Sequence, residues 1–241
     1  MEQLSLTDHP AISAARRPLA RGTATAGVLI WNDIAAEGRE AFYHWHDGEH
    51  MPERMGIPGF VRGRRYASDG ASPQWFTLYE ATSLDVLVSP AYLERLNNPT
   101  PGTASTLRHF RHTARSVCVL QRATGTAIGG NALVLRFDAT RDTPDHTGAL
   151  AEASQVLKVV EGLAGVVATS LYGADVSASR INTAESKTRS FDVPQLTIMV
   201  EASRCESVQQ AIKHIARAGW HRLGLALRPE HALYRLEVCF G

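Results

Sequence analysis

The chain has 241 residues, of which 44% are hydrophobic, and a formal net charge of +1 at pH 7. This length and this apolar fraction allow one large core or two modest ones. The near-zero charge excludes a general attraction to nucleic acid or to anionic membranes, and no apolar run approaches the roughly 20 residues that cross a bilayer.

The cysteines and the N-terminal residues indicate the compartment. The three cysteines, Cys118, Cys205 and Cys239, are far apart and form no CxxC pair, so neither a disulfide framework nor a zinc knuckle is expected. The start of the chain has no apolar segment of the secretory type. We therefore expect a cytoplasmic protein with a small-molecule partner and with neither a nucleic-acid nor a membrane partner.

The N-terminal half has the element order of a ferredoxin-like unit. Residues 1–23 are small and polar, and they predict a flexible arm. Hydrophobic periodicity and turn residues then predict strand, helix, two strands, helix and strand, with the second helix capped by Ser83 and interrupted near Pro90. These elements are expected at residues 25–31, 35–54, 59–68, 74–81, 83–96 and 108–120. The resulting order, β-α-β-β-α-β, is the ferredoxin-like pattern.

The C-terminal half repeats this order after a small, Gly-rich linker at residues 122–130. The stretch Leu163–Val166 matches Ile57–Phe60, and Tyr172 stands as far beyond Gly165 as Tyr66 stands beyond Gly59. The elements are expected at residues 131–138 (strand), 147–161 (helix), 195–202 (strand), 206–218 (helix) and 231–240 (strand). We infer an internal duplication, with a long polar insertion at residues 173–193 that is either a mobile loop or a lid.

The duplication predicts an α+β fold of two tandem ferredoxin-like repeats, at residues 24–121 and 131–241. Two helices cover one face of such a sheet and leave the other face bare. The two halves can therefore form an α+β barrel within one chain, with a homodimer of the whole chain as a further possibility. The helix of the second repeat lacks the Trp, His and Arg of the first, so we expect the site in repeat 1 and a degenerate repeat 2.

One segment of the first helix, residues 42–54, combines histidines, acids, an arginine and aromatic residues. On a helical wheel His46, His50 and Glu53 share one stripe, while Tyr43, Asp47, His50 and Arg54 share the next. His50 belongs to both stripes. An adjacent carboxylate, Asp47 or Glu53, can fix its tautomer and tune it as a base.

The same segment resembles the EthD-like group of dimeric α+β barrel proteins. The resemblance rests on Phe42, Trp45, His50 and Pro52, on the entry Pro58–Gly59–Phe60 into the next strand, and on later stretches of repeat 1. Those stretches are Arg64–Arg65–Tyr66, Ser89–Pro90–Ala91–Tyr92 and Leu96–Pro101. The resemblance covers residues 27–119. It implies the ferredoxin-like fold and a small lyase, isomerase, cyclase or dehydratase that uses no cofactor.

The expected catalytic residues are His50, His46, Asp47 and Glu53. The walls of the pocket would come from aromatic and cationic residues on the helix and the strands, and strand phase alone does not choose between Arg62/Arg64 and Arg65 for its rim. The substrate-binding candidates are Tyr43, Arg54, Arg64, Trp75, Tyr79 and His109. A metal held by His46, His50 and Glu53 is a weaker alternative, because HxxxH with a nearby acid is a loose pattern.

Three functions remain open. The first is a lyase or isomerase without organic cofactor, in which His50 moves a proton of an aromatic or cyclic carbonyl or carboxylic compound. The second is a non-catalytic binding or stress-response module of the same fold. The third is an oxygenase of the dimeric α+β barrel type, with haem or without any cofactor. The sequence does not identify the substrate.

Overall fold

The computed structural model describes residues 23–137, 146–187, 191–218 and 230–241. Eight strands of this described part close into one barrel. They are β1 Ala26–Ile34, β2 Phe60–Ala67, β3 Trp75–Ala81, β4 Phe110–Thr124, β5 Asn131–Phe137, β6 Val166–Ala174, β7 Leu196–Ala202 and β8 Glu230–Phe240.

The α-helices lie between these strands in the chain. Those described are α1 Arg39–Trp45, α2 Met51–Met55, α3 Pro90–Asn97, α4 Pro101–Thr106, α5 His146–Val160, α6 Val176–Ser179, α7 Ala184–Lys187 and α8 Cys205–Ala218. Short 3-10 turns occupy Ala36–Gly38, Asp85–Val88 and Leu107–His109, and a π-helical turn, His46–His50, joins α1 to α2. No helix in the described ranges is long and apolar enough to cross a membrane.

The barrel is antiparallel throughout, and its strand order is β1-β3-β2-β8-β5-β7-β6-β4. Each repeat contributes four neighbouring strands in the same relative order, β4-β1-β3-β2 in repeat 1 and β8-β5-β7-β6 in repeat 2. The repeats join at two seams, where β2 pairs with β8 and β4 pairs with β6. The predicted fold class, tandem ferredoxin-like repeats that form an α+β barrel in one chain, is confirmed.

The connection from the first helix to the second strand has the same geometry in both repeats. Gly59 and Gly165 have φ angles of 96° and 83°, which L side chains rarely adopt. Their carbonyls accept from the Thr82 and Ser203 amides respectively, both at 2.9 Å. The glycines therefore mark equivalent positions in the two repeats, as the sequence match between them predicts.

The interior of the barrel is apolar around one buried ionic cluster. Side chains such as Leu29, Trp31, Phe76 and Leu78 fill it. Within the cluster Arg64 contacts Glu201 of repeat 2 at 2.8 Å and Glu80 of its own repeat at 3.1 Å. Arg62 contacts the same Glu80 carboxylate at 2.6 Å. These ion pairs link the two repeats across the barrel.

Several local boundaries differ from those expected. The predicted helix over 83–96 is a 3-10 turn followed by α3, and the residue that caps α3 is Ser89 rather than Ser83, because the Ser89 hydroxyl accepts from the Tyr92 amide. Strand β4 begins at Phe110 and continues to Thr124, so it includes the first residues of the predicted linker. The arm predicted over residues 1–23 lies outside the described residues except for its last one.

Candidate functional site

The helical segment over residues 36–55 builds one side of the site. Its central π turn is closed by a hydrogen bond from the Met51 amide to the His46 carbonyl, and Pro52, which lacks an amide hydrogen, follows at once. Such turns within α-helices are frequent at functional sites. Here the turn belongs to a buried row of polar side chains, His46, His50 and Arg54, which are 4%, 7% and 2% exposed.

This polar row faces the outer surface of the barrel. Together with residues of the strands it lines a cavity of about 30 Å³. A volume of this size holds only one or two water molecules. The walls come from the helical segment, from β1, β3 and β4, from α3 and from α7 of repeat 2. The lining residues are Ile30, Asn32, Trp45, His46, His50, Arg54, Thr77, Tyr79, Tyr92, Leu96, Leu107, Phe110, Arg115 and Glu185.

Asn32 is a donor directed at this cavity from the sheet. It lies in β1 at an irregularity of the β1–β4 ladder, between Trp31 and Asp33, and it is 2% exposed. Its Nδ2 has no hydrogen-bond partner among the described residues. A buried polar group without a partner destabilises the folded protein, and β-bulges are over-represented beside active sites. Asn32 is thus a strong candidate for ligand contact.

His46 is held in one tautomer by Arg65. The Arg65 Nη1 lies 2.9 Å from His46 Nδ1, and because a guanidinium only donates, Nδ1 accepts and the proton resides on Nε2. Burial, and then the positive charge of Arg65, holds the pKa of His46 well below its usual value. His46 is therefore a neutral donor through Nε2, which lies 3.4 Å from the Tyr79 hydroxyl.

Arg65 is in turn held from two sides. Both of its Nη atoms contact the Asp47 carboxylate, and its Nε donates to Glu237 of β8 at 2.8 Å. Burial alone would lower the pKa of Arg65, but the two carboxylates raise it. The positive charge behind His46 is therefore permanent, and it is supported by both repeats.

The remaining ring groups complete an aromatic wall. The ring centroid of His50 lies 4.3 Å from that of Trp45 and 5.7 Å from that of His46. Burial raises the pKa of Tyr79, so the phenol stays protonated. Since His46 donates towards the Tyr79 oxygen, the Tyr79 proton can be donated to a ligand.

A buried ion pair closes the far end of the cavity. The Arg54 Nη2 contacts Glu185 Oε1 of α7 at 2.6 Å, and its guanidinium lies 5.6 Å from the centroid of the Tyr92 ring. Arg115 donates to the Tyr92 hydroxyl at 3.3 Å. Two arginines of repeat 1 and one carboxylate of repeat 2 therefore meet at this end.

The structure brings only part of the predicted site together. His46, His50, Arg54 and Tyr79 line the cavity. Of the two predicted orienting acids, Asp47 pairs with Arg65, while Glu53 lies 3.7 Å from both Arg54 and Arg95. The alternative metal site does not assemble either, since no group of three or more His, Cys, Asp or Glu in the described ranges could hold an ion.

Four predicted substrate-binding residues lie elsewhere. Arg64 is in the ionic cluster inside the barrel, on the opposite face of β2 from Arg65, so it does not line this cavity. Tyr43 bonds to Glu237 at 2.9 Å, and Trp75 donates to the Tyr43 hydroxyl at 3.2 Å, beside Arg65 rather than in the cavity.

His109 was expected on a strand and lies in a 3-10 turn. There its ring packs so closely on Gly38 that a Cβ at Gly38 would lie 2.4 Å from His109 Cγ. His109 therefore has a packing role, and its assignment to substrate binding is not supported.

Sequence reasoning missed Asn32, Arg115 and Glu185. Asn32 lies just beyond the predicted end of the first strand at Trp31, whereas β1 continues to Ile34. Arg115 could have been found, because it follows Thr113 on the same face of β4 by strand alternation. Glu185 has no local signal, since only the folding of repeat 2 onto repeat 1 places it here.

Comparisons with known proteins identify the fold. No family model and no curated protein matches the chain. Among solved structures, an anthrone oxidase-like protein matches with a TM-score of 0.62 at 8% identity, covering 91% of this chain and 94% of the other. A candidate monooxygenase from Fusobacterium nucleatum subsp. nucleatum matches with a TM-score of 0.55 at 9% identity, covering 90% and 94%.

A mutant chlorite dismutase from Candidatus Nitrospira defluvii matches with a TM-score of 0.53 at 13% identity, covering 93% of this chain and 95% of the other. These similarities extend over the whole barrel at identities that reveal the fold alone. The chain has the ferredoxin-like dimeric α+β barrel fold. Membership of the EthD-like group in particular receives no support from them.

Proposed function

We propose that this protein is an oxygenase that works without an organic cofactor on an enolisable aromatic carbonyl compound or on a related hydroxyaromatic compound. The observation that supports this most is the grouping of one candidate base with three neutral donors around one enclosed cavity. The base is His50, and the donors are His46 Nε2–H, the Tyr79 hydroxyl and the Asn32 amide.

The assignment of the base follows from the tautomer of His46. Because Arg65 occupies His46 Nδ1, His46 offers a proton rather than a lone pair. His50 then takes the proton of the substrate, and general-base catalysis of this kind contributes about 10²–10⁴-fold in rate. Uncharged donors such as Asn32 and Tyr79 stabilise the enolate oxygen that forms, as donors do in an oxyanion hole.

Molecular oxygen is the proposed oxidant. Loss of a proton from a CH₂ group beside a carbonyl and aromatic rings leaves an electron-rich carbanion. This carbon is oxidised by O₂: a C–O bond forms, the O–O bond breaks, the carbon becomes a second carbonyl, and the other oxygen leaves as water. The stoichiometry is one CH₂ and one O₂ to one C=O and one H₂O. Two of the proteins with a similar fold are named anthrone oxidase-like and monooxygenase, and these names favour this chemistry over an elimination or isomerisation.

A haem does not fit the residues present. The rings of Trp45 and His46 pack beside His50 in the volume that a porphyrin on His50 would need. The corresponding space of repeat 2, between α5, α8 and the sheet, is filled by aliphatic side chains such as Val156, Leu157 and Ile198. We therefore assign no step to haem.

Oxygen uptake with anthrone, an enolisable tricyclic ketone, and with its ring-carboxylated derivative tests the proposal. We expect uptake by the wild type and a loss of about 10²–10⁴-fold in kcat for His50→Ala. His44→Ala is the matched control, because His44 lies on the exposed side of the same helix, and it should retain full activity.

Two results would contradict the proposal. Wild-type turnover by His50→Ala, with near-UV circular dichroism that shows a native fold, would remove His50 from the mechanism. Product formation at an unchanged rate under argon would leave proton transfer without oxidation, which is the lyase or isomerase chemistry expected from the resemblance.

A further inference from the structure

The carboxylate of Glu185 occupies the end of the cavity that a substrate would need. Glu185 lies in α7, within the insertion of repeat 2, and contacts Arg54 at 2.6 Å with only 10% of its side chain exposed. The cavity of about 30 Å³ beside it is far smaller than the pockets of about 300–1,000 Å³ that hold drug-sized ligands. Some part of the wall must therefore move before an aromatic compound can bind.

The wall formed by α7 is the part most suited to move. Glu185, Leu96 and Arg115 line both this cavity and a second cavity of about 20 Å³ that α7 also borders. Withdrawal of the Glu185 side chain joins the two spaces and frees one face of Arg54. Helix α7 has only four residues, and its polar contacts with repeat 1 include a bond from the Ala184 amide to Asn97 Oδ1 at 3.1 Å.

The charge of Arg54 restricts which ligand can replace Glu185. Arg54 is 2% exposed, and a buried guanidinium that loses its anion is strongly destabilised. A neutral ligand that displaced Glu185 would leave Arg54 with only the more distant Glu53 carboxylate, at 3.7 Å, as a counter-ion. A ligand with its own carboxylate would restore a charge-assisted hydrogen bond of the same kind, with Arg115 nearby as a second cation.

From these contacts we propose that the site binds an aromatic carboxylate, whose carboxyl group takes the place of Glu185 on Arg54 as α7 withdraws. This inference rests on the proposed function only in using the same cavity. It adds the ionised group of the substrate and the element that admits it. Glu185 acts as an internal competitor, which keeps the cavity closed in the absence of an anionic ligand.

Binding of 4-fluorobenzoate, followed by ¹⁹F NMR, tests the proposal, with 4-fluorobenzamide as a neutral probe of the same shape. Glu185→Gln removes the competing charge and keeps the size of the side chain. We expect it to bind 4-fluorobenzoate at least tenfold more tightly than the wild type does, with no change for the amide. Glu94→Gln is the control, because it makes the same charge change on the exposed side of α3, and it should behave as wild type.

Equal affinity of Glu185→Gln and wild type for 4-fluorobenzoate would overturn the proposal, and so would an equal gain for both probes. If Glu185→Gln does not fold, hydrogen exchange of the wild type decides. Saturating 4-fluorobenzoate must then speed amide exchange over residues 181–187, and an unchanged rate would refute the withdrawal of α7. Neither measurement depends on turnover. If 4-fluorobenzoate binds in this way but no oxygen uptake is observed with the anthrones, the proposed reaction is refuted, whereas the proposal that the site binds an aromatic carboxylate is retained.

Discussion

The helix-covered faces of the two repeats have the same strand pairing, but their side chains differ in polarity at matching positions. In repeat 1 the β1–β3 ladder ends at Asn32 opposite Trp75, and in repeat 2 the β5–β7 ladder ends at Phe137 opposite Leu196. A polar donor that lines a cavity in one repeat is therefore replaced by a buried ring in the other. The duplication therefore preserved the strand pairing but not the side chain at the position of Asn32 and Phe137.

The helices differ in the same way. Counted back from the two connecting glycines, His50 matches Val156 and Arg54 matches Val160. Both valines belong to an aliphatic core of repeat 2. In contrast, the glutamates that line the barrel interior, Glu80 and Glu201, occupy equivalent positions and both contact Arg64. The shared interior is maintained in both copies, whereas on the outer face the buried His50 and Arg54 of repeat 1 correspond to valines in repeat 2.

This comparison predicts that the polar face of repeat 1 is unfavourable for stability unless all its charges are paired. Arg54→Val introduces the repeat 2 residue and leaves the buried Glu185 carboxylate without the guanidinium. We expect a loss of about 3–5 kcal/mol in the free energy of unfolding. Arg54→Val with Glu185→Leu removes both charges and should recover most of that loss. Urea unfolding of the single and double variants measures both effects.

Arg95→Ala is the control for this pair. Arg95 is exposed and lies 3.7 Å from Glu53, and the loss of such a surface contact should change stability by less than about 1 kcal/mol. If the loss in the free energy of unfolding of the double variant equals the sum of the losses of the two single variants, Arg54 and Glu185 are not coupled.

A substitution at Asn32 tests the comparison further, because it should lower activity without lowering the stability of the protein. Asn32→Leu removes one donor directed at the cavity, and the loss of a single oxyanion donor costs about 10²–10³-fold in kcat. The same change replaces a buried, unpartnered amide by an apolar group, so thermal stability should be equal or higher. Oxygen uptake and calorimetric Tm are measured on the same preparation. A parallel fall in both would identify Asn32 as a structural residue.

Much of this fold could be predicted because its signals are local and are repeated. The matched glycines, the alternating strands and the element order appear in both halves of the sequence. The predicted face of β3 was also right for Tyr79, because strand alternation is strict over a short strand. The helical wheel placed His46, His50 and Arg54 on the two stripes that meet at His50, and these residues do line the cavity.

The rest depends on contacts that no local pattern encodes. Glu237 and Glu185 of repeat 2 reach the network of repeat 1 across distances of more than a hundred residues in the chain. The choice between Arg64 and Arg65 depended on which residues of β2 face the barrel interior. Adjacent residues of a strand face opposite sides of the sheet, so an error of one residue places the interior residues on the helix side and the reverse. The sequence therefore did not identify Arg65 as the partner of His46, although it named the histidine as a candidate site residue.

The smallest expected effect concerns the protonation of His46. In repeat 2 the matching position is occupied by Glu152. An unfolded histidine has a pKa near 6.5, whereas burial and then Arg65 hold the folded pKa of His46 well below that value. Below pH 6.5 the unfolded chain therefore binds a proton that the folded protein does not, so stability decreases as pH falls.

His46→Asn should remove this contribution, because an Asn oxygen can still accept from Arg65 and does not titrate. Between pH 6.5 and 5, we expect the wild type to lose stability faster than the variant by up to about 1.4 kcal/mol per pH unit. Urea unfolding at a series of pH values gives both slopes, with the exposed His44→Asn as control. Identical slopes for wild type and His46→Asn would mean that His46 is protonated in the folded state. The neutral donor that the mechanism requires would then be absent, and the assignment of His50 as the base would no longer follow from the tautomer of His46.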